Sequence, residues 1–134
     1  ANVNIVHEIF KNLEKKKGKI VVSFRSETIG DGVLTWDELI SKTNSLVIKL
    51  KELGVQKGDR VVAILPNTPH SLVSFCATAY IGAIWSLCAP DMGETAILDR
   101  FKQIKPKVLI CQDSYIYAGK FINKVNSLNN IIKN

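Results

Sequence analysis

Between Val61 and Pro90 the chain contains no Asp, Glu, Lys or Arg, although those residues make up 22% of its 134 positions. A run so free of charge belongs in an interior, and its internal order says what kind. Val61–Leu65 is a β-branched strand pattern, Pro66 and Pro69 break it, a helical segment follows up to Gly82, and Ala83–Cys88 is a second strand. A membrane span is excluded: the prolines and Gly82 cut the run, and the helical piece falls well short of the roughly 20 apolar residues a bilayer requires. Strands buried on both faces read as continuous apolar runs, which is the signature of a parallel sheet covered by helices. The unit predicts an α/β fold of three layers, with a mainly parallel sheet between helices.

The rest of the chain supports that frame. Val6, Ile9, Phe10 and Leu13 have the spacing of one helical face, and Lys15, Lys16, Lys17 and Lys19 follow where cations favour the negative end of a helix dipole. Lys19–Phe24 reads as a strand, Ile29–Gly32 as a turn and Val33–Leu34 as the returning strand of a small N-terminal hairpin. Thr35 and Glu38 have capping-box spacing, and the helix they open is expected to end at Gly54 with Trp36, Leu39, Ile40, Thr43, Leu46, Val47, Leu50 and Leu53 turned inward. Gly58 and Asp59 lead into the first core strand. Later, Thr95–Ile104 reads as a helix stopped by Pro106, Lys107–Cys111 as a third core strand, and Ala118–Leu128 as the last full helix. Ile131–Ile132 reads as the beginning of another strand. Residues 1–134 are expected to form a single domain, which at this size buries roughly two thirds of the surface its unfolded chain exposes.

Composition narrows the function classes. A hydrophobic fraction of 46% with only 4 prolines excludes disorder. The N-terminal lysines come after the apolar residues, the wrong order for a signal peptide, so a cytoplasmic location is expected. Cys76, Cys88 and Cys111 each sit within an apolar segment and are expected as buried free thiols. Neither His7 nor His70 lies near a cysteine in sequence, so no metal site is expected. The net charge of +6 permits an anionic partner, but no aromatic interleaving or recognition motif accompanies the lysines. Neither a nucleic acid nor a membrane is the expected partner.

In an open parallel sheet, ligands bind beyond the carboxyl ends of the strands. That places a site in the segments 66–70, 89–94 and 112–120. None holds a self-sufficient catalytic set, and there is no glycine-rich turn between a strand and a helix to cradle phosphates. His70 and Ser71 read as helix-capping residues rather than as base and nucleophile, since adjacent side chains rarely face each other and no orienting acid is at hand. Asp37 with Glu38, and Asp91 with Glu94, sit at helix starts, where the dipole welcomes negative charge. No catalytic residue is assigned.

Seven segments occur in a telling order: FRSE at 24–27, LTWDEL at 34–39, GDRV at 58–61, LPN at 65–67, GAIWS at 82–86, PDMG at 90–93 and DRFKQIKPKVL at 99–109. Together they resemble the N-terminal part of the acyl-CoA synthetases of the adenylate-forming superfamily. IWS followed by PDMG, DRF and KPKVL is most similar to the acetoacetyl branch. The resemblance implies a much longer ATP-dependent ligase that joins a carboxylate to AMP, using ATP and Mg2+, and then passes the acyl group to coenzyme A. In that family the phosphate loop, the ribose-holding aspartate and the mobile lysine follow the region present here, so the chain alone is expected to be inactive.

Only the coenzyme A side of the family's site has counterparts in this chain. By resemblance, the turn Ala89–Pro90–Asp91 corresponds to one near the coenzyme A entrance, and Tyr117 and Lys120 correspond to basic positions near its nucleotide end. The acetyl type has glycines where this chain has Pro90 and Asp91, and an arginine where it has Tyr117, which leaves Lys120 as the stronger of these positions. A free-standing α/β module that binds a nucleotide or a protein is the alternative. Self-association of the isolated chain is expected from a sheet interrupted after Ile132, because unpaired edges favour pairing with a second copy.

Overall fold

The computed structural model describes residues 3–134; residues 1 and 2, which open the segment read against a signal peptide, lie outside them. In chain order the elements are helix α1 (Ile5–Ile9), a 3-10 turn (Leu13–Lys15), strands β1 (Ile20–Phe24) and β2 (Gly32–Thr35), and helix α2 (Trp36–Glu52). There follow β3 (Arg60–Ile64), α3 (Pro69–Ile81), β4 (Ile84–Cys88), α4 (Glu94–Ile104), β5 (Val108–Cys111), β6 (Ser114–Tyr117), β7 (Lys120–Asn123) and α5 (Val125–Lys133).

The expected parallel sheet is present, with strand order β4-β3-β5 and both pairs parallel. Only β3 has a neighbour on each side, and Val61, Val62 and Ala63 are completely buried. The reading that all three core strands hide both faces fails for β4, whose Ile84 is 54% exposed, because a strand at the edge of this sheet lacks cover on one side. Helices occupy both faces. Val62, Ile64 and Cys88 pack on Ile97 and Phe101 of α4 and on Leu128 and Ile131 of α5. Val61, on the opposite face, packs with Val47 and Leu50 of α2 and Ala77 of α3. Leu50 is 1% exposed, and burial of such a side chain contributes about 1.5–3 kcal/mol.

Local signals set the helix boundaries. The Thr35 hydroxyl accepts from the Glu38 amide at 3.3 Å and the Glu38 carboxylate accepts from the Thr35 amide at 2.8 Å, completing the capping box. At the end of α3, Gly82 adopts φ +82°, a left-handed conformation open to glycine without steric cost, and stops the helix.

Three expectations are corrected. Ala118–Leu128 is not a helix: β6 and β7 form an antiparallel hairpin, and α5 starts only at Val125. Ile131 and Ile132 belong to α5 rather than to a strand, because helical spacing turns Leu128 and Ile131 together onto the sheet. The first helix ends at Ile9, and Asn12 at φ 58° turns the chain before Leu13. The lysines therefore lie past the helix, where Lys16 Nζ reaches back to the Ile9 carbonyl at 2.7 Å and sits 4.3 Å from the Trp36 ring. Among the described residues no helix is long and apolar enough to cross a membrane.

Candidate functional site

The carboxyl ends of the three parallel strands emerge side by side, with Ile64 in register with Cys88 on one flank and Cys111 on the other. After β3 the chain enters α3 on one face; after β4 it enters α4, and after β5, by way of the β6–β7 hairpin, it enters α5, both on the other. Chain departing to opposite faces from adjacent strands opens a crevice, the usual ligand position in such sheets. Between the ends of β3 and β5 that crevice is a groove of about 340 Å3, lined by Leu65, His70, Ser74, Ile110, Cys111 and Gln112.

The serines at and beside it are engaged rather than poised for catalysis. Ser74 Oγ donates to the His70 carbonyl at 2.8 Å, and the buried Ser71 Oγ donates to the Thr68 carbonyl at 2.7 Å. Thr68, not the His70–Ser71 pair, is the N-cap of α3, with Pro69 as its first residue. Cys76 and Cys88 are buried free thiols as expected, whereas Cys111 is exposed because it ends an edge strand. Desolvation, then the Asp113 carboxylate, push the Cys111 pKa up, and burial pushes Cys76 to about 11. Neither thiol is an activated nucleophile at neutral pH.

The remaining site positions lie in the turn after β4 and at the end of the β6–β7 hairpin. Ala89 and Asp91 are exposed and Pro90 is buried in the turn after β4, which closes with the Met92 amide donating to the Ala89 carbonyl at 3.2 Å. Proline at the second position suits such a turn by fixing its φ. Tyr117 and Lys120 are brought together as facing residues at the end of the β6–β7 hairpin, both exposed, with Tyr117 68% accessible. Ala118 and Gly119 form the two-residue loop at φ +50° and +71°, the left-handed pair that matches the twist of a hairpin. Among the described residues, no hydrogen bond or ion pair joins the Ala89–Asp91 turn to this hairpin.

Two polar residues that the sequence reading did not assign touch the hairpin from across the molecule. The Thr28 hydroxyl accepts from the Ile116 amide at 3.0 Å, and the Glu27 carboxylate accepts from the Gly119 amide at 2.8 Å. FRSE at 24–27 was a marker of resemblance only. The signal available was a run of Arg, Ser, Glu and Thr concentrated in a short connection, more polar than a turn needs.

An open parallel sheet with its loops gathered at the carboxyl end defines a class of α/β ligand-binding proteins, and comparison with known proteins narrows it. The family model described as AMP-binding enzyme matches residues 9–133, and the chain belongs to that family. It is 46% identical over 111 residues to acetoacetyl-coenzyme A synthetase of Rhizobium meliloti (strain 1021), a stretch that covers 82% of this chain and 17% of that protein. Against acetoacetyl-CoA synthetase of Xenopus tropicalis it is 37% identical over 133 residues, covering 99% of this chain and 20% of that protein. The solved structure of acetoacetyl-CoA synthetase from Streptomyces lividans superposes with a TM-score of 0.92 at 34% identity, covering 98% of this chain and 20% of that one. The chain thus spans a fifth or less of the length of these relatives.

Proposed function

We propose that this chain is one part of an ATP-dependent acyl-CoA synthetase of the acetoacetyl type, and that its contribution is to the coenzyme A side of the site. The reaction joins a carboxylate oxygen to the α-phosphorus of ATP with loss of pyrophosphate; attack of the coenzyme A thiol on the acyl carbon then releases AMP. The observation that carries the reading is the exposed Lys120 on an ordered hairpin turn, in a chain whose relatives bear the name acetoacetyl-CoA synthetase. Lys120 supplies a cation for a phosphate of coenzyme A, with Tyr117 beside it and Ala89, Pro90 and Asp91 bordering the approach.

The chain's residues do not fit the ATP and Mg2+ side of such a site. Among the described residues no three of His, Cys, Asp and Glu come together as metal ligands, and the loops at the carboxyl end of the sheet contain no phosphate cradle. Catalysis of adenylation belongs to groups outside this chain. Residues 1–134 act in this reading as one domain of the larger enzyme, in the cytoplasm, where free thiols such as Cys76 and Cys88 persist. The free-standing binding module is the alternative, and the shared name of the relatives, acetoacetyl-CoA synthetase, favours the first reading.

The two half-reactions separate these readings. In the full-length protein, Lys120→Ala raises the KM for coenzyme A about tenfold, the low end for a hydrogen bond to a charged group, and leaves carboxylate-dependent pyrophosphate exchange unchanged. Loss of both halves together would count against a coenzyme A role, and the isolated chain, as the control, gives no exchange. The isolated chain also self-associates in this reading, through the unpaired outer edges of β4 and β5. Light scattering that stays monomeric across a wide concentration range would refute that part.

A further inference from the structure

The connection between β1 and β2 closes on itself. The Gly30 amide donates to the Ser26 carbonyl at 2.8 Å and the Ser26 amide to the Gly30 carbonyl at 3.2 Å. Ser26 Oγ accepts from the Thr28 amide at 3.2 Å and the Ile29 amide at 3.4 Å. A loop tied this way holds Glu27 and Thr28 in place, and both reach the β6–β7 hairpin, 92 and 88 residues distant along the chain.

Thr28 meets both polar groups of Ile116: it accepts from the amide at 3.0 Å and donates to the carbonyl at 3.5 Å. Alternate residues of an antiparallel strand turn these groups away from their partner strand, so in β6 they need a partner elsewhere. Glu27 takes the amide of Gly119, inside the turn itself, with a carboxylate. Bonds to an ionised acceptor are the stronger kind. The hairpin needs such support, because an isolated two-stranded hairpin is marginal in water and Ala118 sits at a positive φ that non-glycine residues seldom adopt.

We infer that Glu27 and Thr28 are positioning residues for coenzyme A: they clasp the Tyr117–Lys120 turn so that the Lys120 ammonium stands in one place for a phosphate group. The inference rests on the coenzyme A reading of Lys120. It gives the FRSE segment a role beyond that of a marker. Neither residue touches the ligand; each acts through the backbone of the turn.

The experiment uses the full-length protein with Thr28→Val, Thr28→Ser, Glu27→Ala, Glu27→Gln and Lys120→Ala. It reads amide hydrogen exchange of residues 114–123 without ligand, the KM for coenzyme A, and pyrophosphate exchange. Thr28→Val and Glu27→Ala are expected to speed exchange at Ile116 and Gly119 and to raise the KM for coenzyme A about three- to tenfold, the size of one or two lost hydrogen bonds. Pyrophosphate exchange stays unchanged, and Thr28→Ser and Glu27→Gln, which keep an acceptor oxygen, recover most of both effects. Faster amide exchange with an unchanged KM, while Lys120→Ala still raises it, would overturn the inference by showing that order in the hairpin is not used. A lower KM in Glu27→Ala would also overturn it, revealing a carboxylate that competes with the phosphate. Equal loss of both half-reactions would reduce the clasp to a folding contact. If Lys120→Ala is silent, the coenzyme A reading fails and the inference with it, and the amide exchange still reports separately whether the clasp exists.

Discussion

The two ends of the parallel sheet are secured in opposite ways. At the amino end a dense set of charged and backbone contacts ties the strands to one another. Asp59 Oδ2 accepts from the Gln56 amide at 2.7 Å and from Lys107 Nζ at 3.1 Å. Arg60 donates to the carbonyls of Ile104 at 3.1 Å, Lys105 at 3.0 Å and Gly58 at 3.4 Å, binding the start of β3 to the end of α4. At the carboxyl end the strands run into open loops, and Tyr117 and Lys120, which we propose for coenzyme A, sit on an exposed hairpin held by three hydrogen bonds from the β1–β2 connection. GDRV at 58–61, a prominent motif, therefore serves the structure, and the plainer FRSE, in the role we propose for Glu27, serves the site. Both are polar, so residue type alone does not separate them; the end of the sheet they occupy does.

That contrast is breakable by substitution. Arg60→Ala removes three backbone contacts of a partly buried cation and is expected to lower unfolding free energy by about 2–3 kcal/mol, without changing the KM for coenzyme A. Urea unfolding beside kinetics tests this, and a change in KM at constant stability would erase the distinction between the ends. Lys120→Ala is the mirror case, in which KM moves and stability does not.

A smaller effect sharpens the picture of the hairpin. Ala118 holds a left-handed conformation that asparagine tolerates better, and Asn-Gly is the favoured pair for this loop. Ala118→Asn is expected to stabilise the protein by about 0.5–1 kcal/mol, seen as a higher Tm, since the strain of the alanine is relieved. A lower Tm would mean that the turn differs from the one described.

The smallest expected effect is on acid stability. The Gln56 amide, then Lys107, lower the Asp59 pKa from its ordinary 3.8, so the folded state favours the ionised carboxylate. The stability this provides is complete above 3.8 and is lost as pH falls through the lower folded value. Asp59→Asn should slightly lower Tm at neutral pH and flatten its pH dependence in that window. An unchanged acid limb would show that the contact with Lys107 is too solvated to matter.

Most of the first 111 residues were legible because their signals are local and strong. The charge-free run located β3, α3 and β4; Thr35 with Glu38 began α2; Gly82 ended α3; and Pro106 separated α4 from β5. The segment after Cys111 was misread for an equally physical reason. In SYIYAGKFIN the alternation is short, and the turn pair is Ala-Gly rather than Asn-Gly. Alanine and lysine favour a helix when nothing else intervenes.

By itself the sequence determined the α/β alternation and the boundaries of α2 and α3, since periodicity and capping act within a few residues. Tertiary structure decided the rest. It made Ser114–Asn123 a hairpin, because the outward amides of Ile116 and Gly119 find Thr28 and Glu27, partners that no local pattern connects to them. It also kept Ile131 and Ile132 helical, because Leu128 and Ile131 gain more by covering Val62 and Ile64 together than β-branched residues lose in helix propensity.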